Sequence, residues 1–286
     1  GVNAAVATPA WMLRRLERSG LRGISAVVDI TNYVMLEMGQ PMHAFDAAKL
    51  SGAITVRRAR NGESLTLLNE QVVALDKEVL VIADDARLLA LAGIMGGQGS
   101  GVKTTTTDVF LERAFFHPDA IAGKARRFGL ATDSSFRFER GVDFAATRQA
   151  LERATQLLLE ICGGSAGAVS EVRGQLPRRE LILLRRSRVA RVLGIELDNP
   201  QIATLFNRLQ FDFVANDDDF RVMPPSFRFD LSIEADLIEE LARLYGYDNI
   251  PAQAPQAAMT MVPCSELRRP LAAILQTLVA RDYQEI

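Results

Sequence analysis

Apolar positions three and four residues apart predict an amphipathic helix over 144–162. Leu151, Ala154, Leu158 and Ile161 share one face there, and Gly163 and Gly164 close it. Two more helices are predicted over 9–19 and 26–38, the first with Thr8 as cap, Pro9 at the first helical position and Gly20 as stop. Short apolar runs bounded by turn clusters such as Arg60-Asn61-Gly62 predict strands over 53–59, 64–68, 78–83 and 108–116. These helices and strands do not alternate regularly. The expected class is therefore α+β, a mixed sheet with packed helices, and not a doubly wound parallel sheet.

The stretch 170–182, with Pro177-Arg178-Arg179-Glu180, is the candidate linker. A second, smaller module follows it. A short helix over 187–193 ends at Gly194, and a second starts at Asn199-Pro200, cap then proline, and runs to about Leu209. A hairpin turning at Asn216–Asp219 comes next. Then comes an acidic helix with Ser232 as N-cap, Leu237, Leu241, Leu244 and Tyr245 as its apolar stripe, and Gly246 just past its end. The closing 264–286 reads as a helix belonging to a further, truncated domain.

At 286 residues the chain has room for about two domains. With 48% hydrophobic and 24% charged residues it reads as an ordinary soluble protein, and it has no apolar stretch long enough to span a membrane. The N-terminal segment has no apolar signal-peptide core, and the absent initiator Met fits an excised fragment or, equally, a processed terminus. Cys162 and Cys264 are far apart and form no CxxC pair, so neither a disulfide framework nor a zinc site is expected. A reducing, cytoplasmic location follows as the default. The formal charge of −2 provides no global attraction for nucleic acid, so any RNA contact must come from a local basic surface.

Two clusters carry candidate chemistry. In PPSFRFDLSIEADLIEELARLYGYDNIP (224–251), Asp230, Asp236, Glu239 and Glu240 fall within one arm and the first turns of the acidic helix. Like charges at that spacing repel, which calls for a cation nearby. Hard oxygen donors without histidine suit magnesium. A solvated acidic face, favoured by the helix dipole and by Glu239 four residues before Arg243, accounts for the same residues. The second cluster lies in the first module: Arg22 in SGLRGIS, GQPMHAFD (39–46), LAGIMGGQGSGV (91–102), FLERAFF (110–116) and ARRFGLATDSSFRFERGVD (125–143). Its glycines match neither GxGxxG nor a P-loop. His43 and His117 are the only histidines. On a strand over 109–116, Glu112 would share a face with Phe110, Ala114 and Phe116, a carboxylate in apolar surroundings that needs a partner or a ligand.

Taken together, VVDITNYVMLEMGQPMHAFD, GIMGGQGSGV, TDSSFRFERGVD and DLIEELARLYGYDNIP resemble, in order and spacing, the β subunit of bacterial phenylalanyl-tRNA synthetase. The resemblance implies an editing domain over 1–175, which removes tyrosine mischarged onto tRNA(Phe). It further implies a small helical, winged-helix-like module over 179–254 and the start of a catalytic-like core over 255–286. By the same resemblance, Glu112 and a backbone amide near Gly96 read the tyrosine hydroxyl, with Ser134 on the pocket wall. Arg22, His43 and Thr132 hold the aminoacyl ester and terminal adenosine, with a positioned water as the attacking group. Asp230, Asp236, Glu239 and Glu240 match magnesium-binding positions near the α subunit. The implied assembly is a tetramer of two α and two β subunits acting on the tRNA(Phe) 3′ end, with ATP used only by the complete synthetase. Ser134 stands where the family carries alanine, and Ala131 and Phe136 where histidine is common.

Lys124, Arg126, Arg127, Arg137 and Arg140 could receive the RNA end through phosphate contacts, or form a solvated face paired with Glu139 and Asp143. Three functions compete: an editing esterase, a non-catalytic scaffold or subunit- or nucleic-acid-binding fragment, and a free-standing magnesium hydrolase.

Overall fold

Pro9, not Thr8, holds the N-cap position of the first helix, and the Thr8 hydroxyl donates instead to Asp29 at 2.6 Å. This is the first departure in a computed structural model that describes residues 1–252, 254, 261, 267 and 269–285. The helices α1 (Ala10–Arg18) and α2 (Ala26–Met38) open the chain. α1 buries Met12 and Leu16, whereas α2 buries Val27, Ile30, Tyr33 and Val34 around most of its circumference, as a helix enclosed by neighbours should. Buried Asp29 also accepts from the Ile24 amide at 2.8 Å, which ties the α1–α2 connection down onto α2. Gly39, at φ +68, ends α2 in the left-handed conformation that glycine adopts without steric penalty.

The chain turns there into β1 (His43–Asp46), followed by β2 (Thr55–Arg58), β3 (Ser64–Thr66), β4 (Val72–Ala74), β5 (Leu80–Ala83), β6 (Leu88–Leu91), β7 (Met95–Gly96) and β8 (Val109–Glu112). An antiparallel sheet runs in the order β2-β5-β6-β7, with β3-β4 and β1-β8 as separate pairs. β8 stops at Glu112 and does not continue to 116. Three short helices and one long one follow: α3 (Pro118–Ile121), α4 (Lys124–Arg127), α5 (Asp133–Arg140) and, after a turn, α6 (Thr147–Cys162).

Two apolar cores fill this part of the chain. Leu67, Val81, Leu91, Phe116 and Phe138 belong to one, between the strands and α3–α5. Met12, Ile30, Val34, Ala154 and Leu158 belong to the other, where α1, α2 and α6 pack. In α6 the predicted face turns slightly: Ala154 and Leu158 are buried, joined by Ala150, Leu157 and Cys162.

Residues 163–181 carry no regular structure and are mostly exposed, so the linker begins earlier than expected. β9 (Ile182–Arg185) then opens the second module, continued by α7 (Arg186–Leu193), α8 (Asn199–Arg208), β10 (Asp212–Ala215), β11 (Asp219–Met223) and α9 (Glu234–Tyr245). The sheet order is β10-β11-β9, all antiparallel. Asp198, not Asn199, caps α8: its carboxylate accepts from the Gln201 amide at 2.8 Å while Gln201 reaches back to the Asp198 amide. The Asn199 side chain donates to the hairpin carbonyls of Asn216 and Asp217. Phe206 sits at the centre of the third core, with ring centroids of Phe211, Phe213 and Phe220 at 5.8, 5.6 and 5.8 Å.

Residues Gly1–Tyr247 form one compact unit and Asp248–Ile286 a second. The second holds α10 (Leu271–Val279), which starts later than the helix predicted from 264. Cys264 and the first residues of that predicted helix lie outside the described residues.

Candidate functional site

The β1–β8 ladder sets His43 directly opposite Glu112. Period-2 alternation turns both toward the β2–β7 side, where they border a cavity of about 270 Å³. Ile94, Gly96, Phe116, Ser134 and Phe138 form much of the rest of its wall, and Ile24 and Asn32 border it from the α2 side. Sequence reasoning did not single out Asn32. Its signal was the position of the α2 segment beside GQPMHAFD, with a polar side chain on an otherwise apolar helix.

Two polar atoms in this wall are shut off from solvent and have no hydrogen-bond partner: His43 Nε2 and Glu112 Oε1. Burial pushes the Glu112 carboxyl up from 4.5 to about 7, against a smaller opposing pull from the Arg113 guanidinium. Burial also drives the His43 imidazole down from 6.5 to about 4, so it is neutral near pH 7. The cavity therefore presents an uncharged imidazole and a carboxyl poised between its two protonation states. A buried carboxyl without a partner is costly to the fold unless a ligand supplies one.

Gly96 is small for a reason visible in the wall. A Cβ there would stand 2.3 Å from His43 Cε1 and 2.7 Å from Nε2, so only glycine leaves the imidazole its place. The His43 ring is further held edge-on to Phe45, with centroids 4.4 Å apart.

Thr132 caps α5: its Oγ1 accepts from the Ser135 amide at 3.0 Å and donates to the Ile94 carbonyl at 2.9 Å. Ser134 donates to the Gly93 carbonyl at 3.1 Å. The Ser134 hydroxyl is thus spent on the backbone that carries the wall. Thr132 does not line the cavity; it holds Ile94, which does. Arg22 is exposed in the α1–α2 connection, two residues before Ile24, and is not part of the wall. The structure brings His43, Glu112, Gly96 and Ser134 together, with Thr132 behind the wall and Arg22 outside it.

A family model described as the B3/4 domain matches residues 1–163, the stretch that builds the cavity and more than half of the chain. The chain belongs to the B3/4 domain family. A second model, the tRNA synthetase B5 domain, matches residues 182–247, the stretch around the third core. Over its whole length the chain is 59% identical to the phenylalanine–tRNA ligase beta subunit of Chromobacterium violaceum. It is 58% identical to that of Dechloromonas aromatica. It covers 36% of each, so it spans about a third of the length of the curated relatives it matches. Among solved structures, an N-terminal fragment of the phenylalanyl-tRNA synthetase beta subunit from Pyrococcus horikoshii is similar at 15% identity and TM-score 0.41, over 86% of this chain and 69% of that one. The resemblance read from the motifs thus extends over the whole chain.

In the B5 domain the cation called for by the acidic helix is present, and it is an arginine. Arg228 grips Asp230 at 2.7 Å and Glu240 at 3.0 Å, and Arg243 adds a 2.6 Å contact to Glu240. These contacts hold both carboxyls below their usual range: for Asp230 the hydrogen bond from Arg228 leads, while for Glu240 the two arginines outweigh a burial effect of opposite sign. Asp236 accepts from the Ser232 and Ile233 amides at 2.7 and 2.9 Å, so it satisfies the start of α9 in place of the expected Ser232 cap. Glu239 is exposed. Among the described residues no group of three or more potential ligands converges on a metal-sized point. As arranged, Asp230, Asp236, Glu239 and Glu240 do not fit a magnesium ion, because a guanidinium stands between the two best-placed carboxylates.

The basic set of the B3/4 domain is also largely paired, though not with Glu139 or Asp143. Lys124 meets Glu78 at 3.2 Å, Arg127 meets Asp76, and Arg137 meets Asp133 at 2.9 Å. Arg140 lies over the exposed Phe136 ring, 5.5 Å from its centroid.

Proposed function

We propose that the B3/4 domain is an editing esterase that removes tyrosine from mischarged tRNA(Phe). The observation that carries this reading is the buried, unpartnered Glu112 Oε1 facing a cavity sized for an amino-acid side chain. A synthetic site shaped for phenylalanine rejects an added hydroxyl only by roughly 10²-fold. A site that hydrogen-bonds the hydroxyl rejects the analogue lacking it by roughly 10⁴–10⁵, since the polar group would otherwise stay unpaired. Glu112 supplies that group. Phe116 and Phe138, tilted with centroids 5.1 Å apart, supply the aromatic surface.

Hydrolysis needs a water aimed at the ester carbonyl. His43 Nε2, neutral and without a partner in the chain, orients that water beside the acyl carbon. Attack forms the acid and breaks the bond to the ribose oxygen, which leaves with the water's proton. No covalent nucleophile takes part. Gly96 keeps the imidazole in place, Thr132 and Ser134 hold the wall, and Arg22 acts from the rim.

In the longer protein, this chain works with the α subunit in a tetramer of two α and two β subunits in the cytoplasm, and ATP is used only by the complete synthetase. Magnesium at the acidic helix requires Arg228 to withdraw from Asp230 and Glu240. Release of tyrosine from Tyr-tRNA(Phe) tests the esterase: Glu112→Ala should abolish the preference for tyrosyl over phenylalanyl ester. Absence of tyrosine release by the wild-type chain would reject it in favour of a scaffold.

A further inference from the structure

The B5 domain touches the B3/4 domain at a point that bears on the cavity. Gly141 ends α5 at φ +117, and a Cβ built on it would lie 2.5, 2.7 and 2.8 Å from Cγ, Cδ2 and Cδ1 of Phe229. The aromatic ring therefore lies flush against the backbone at the end of α5, where no other residue would let it approach. One face of α5 serves the cavity. Its N-terminal Thr132 and Ser134 hold the Ile94 and Gly93 carbonyls, and Phe138 lines the wall.

Phe229 is not a loose side chain. Its neighbours Arg228 and Asp230 are paired to each other, and Arg228 is paired in turn to Glu240 of α9, whose side chain is only 9% exposed. Arg228 also lies over Phe211 of the third core, 5.9 Å from the ring centroid. The ionic cluster thus anchors the turn before α9 to the B5 core, and the ring projecting from that turn rests on the helix that walls the cavity. α5 spans only Asp133–Arg140, so displacing one end of such a short rigid element moves the other.

We propose that Phe229 is a positioning residue for the cavity: seated on Gly141, it sets α5 and so the placement of the Gly93–Ile94 wall. The B5 domain then contributes to substrate discrimination without touching substrate. The inference deepens the esterase reading and rests on it for its consequence, but not for the contact itself.

The test uses the full chain with Phe229→Ala and the space-filling Phe229→Leu. Amide resonances of Gly93 and Ile94 should shift in Phe229→Ala and return toward wild type in Phe229→Leu. Affinity for free tyrosine should fall about fivefold or more in Phe229→Ala, the scale of a typical coupling between sites, and recover in Phe229→Leu. A lower melting temperature with unmoved Gly93 and Ile94 resonances and unchanged tyrosine affinity would make the contact ordinary packing and overturn the proposal. If wild type shows no preference for tyrosine over phenylalanine, the esterase reading falls, and the two amides still decide whether Phe229 sets the wall.

Discussion

His43 and Glu112 are register partners on β1 and β8, and each turns a buried, unpartnered polar atom to the same cavity. Burial shifts them in opposite directions, the acid up and the base down, so that both favour their uncharged forms. An apolar cavity with a neutral imidazole and a carboxyl that holds its proton up to about 7 suits a phenol and a water better than it suits an ion.

This opposition should show in stability. Folded Glu112 keeps its proton up to about 7 whereas an unfolded one loses it near 4.5, so its contribution falls as pH rises through that window. His43 behaves in reverse: unfolded it gains a proton near 6.5, folded only near 4, so stability falls on acidification across that range. The two contributions oppose each other where the windows overlap. In Glu112→Gln only the histidine contribution remains, and the variant's stability relative to wild type should climb with pH, by up to ~3 kcal/mol above neutrality. Urea denaturation at about pH 5 and about pH 8 measures it. A difference independent of pH would show that Glu112 titrates normally.

Gly96→Ala should disable the cavity. The added methyl meets the imidazole at 2.3 Å, so the ring must leave its place against Phe45. Tyrosine release should drop about 10²-fold, the scale of a misplacement of about 1 Å, with a stability loss of about 1–3 kcal/mol for the overpacked wall. Wild-type rates in this variant would remove His43 from the reaction.

Thr132→Val keeps the shape but loses both hydroxyl contacts. The α5 cap is worth about 1–2 kcal/mol, and the Ile94 carbonyl loses its donor. Thr132→Ser should retain most of the stability and the activity. If valine and serine behave alike by thermal melting, the capping role is not the one that matters.

Magnesium offers a fourth check. With Arg228 holding Asp230 and Glu240, millimolar magnesium should leave the melting temperature of the wild-type chain unchanged. Arg228→Met leaves a nearly buried carboxylate with Arg243 as its remaining partner, and the variant should lose about 1–3 kcal/mol. Magnesium should then recover part of that loss by binding the freed carboxylates. A wild-type chain stabilised by magnesium would mean that the guanidinium yields its place.

The fold was legible where elements are long and strongly patterned. α2 occupies 26–38 as expected, because a left-handed glycine stops it sharply. β1, β4, β6 and β7, of two to four residues each, were missed, whereas β2, β3, β5 and β8, equally short, lie inside longer apolar runs bounded by turn clusters. At the site, Glu112 was flagged by a carboxylate amid aromatics, but its facing partner His43 lies across a ladder that periodicity along the chain does not reveal. Thr132 was recognised by resemblance, and its hydrogen bonds place it behind the wall. Arg228 was overlooked in a segment read for its acids: it precedes the helix, so helical spacing rules never paired it with Glu240.

The β1–β8 ladder has a consequence for how the chain reaches its working form. Moving one strand along the other by a single residue would turn either the imidazole or the carboxyl away to the α2–α6 side and offer the opening a neighbour instead. A misaligned chain would keep only half a site. Competence therefore arrives all at once, with the closing of a pair of four-residue strands that begin more than sixty positions apart.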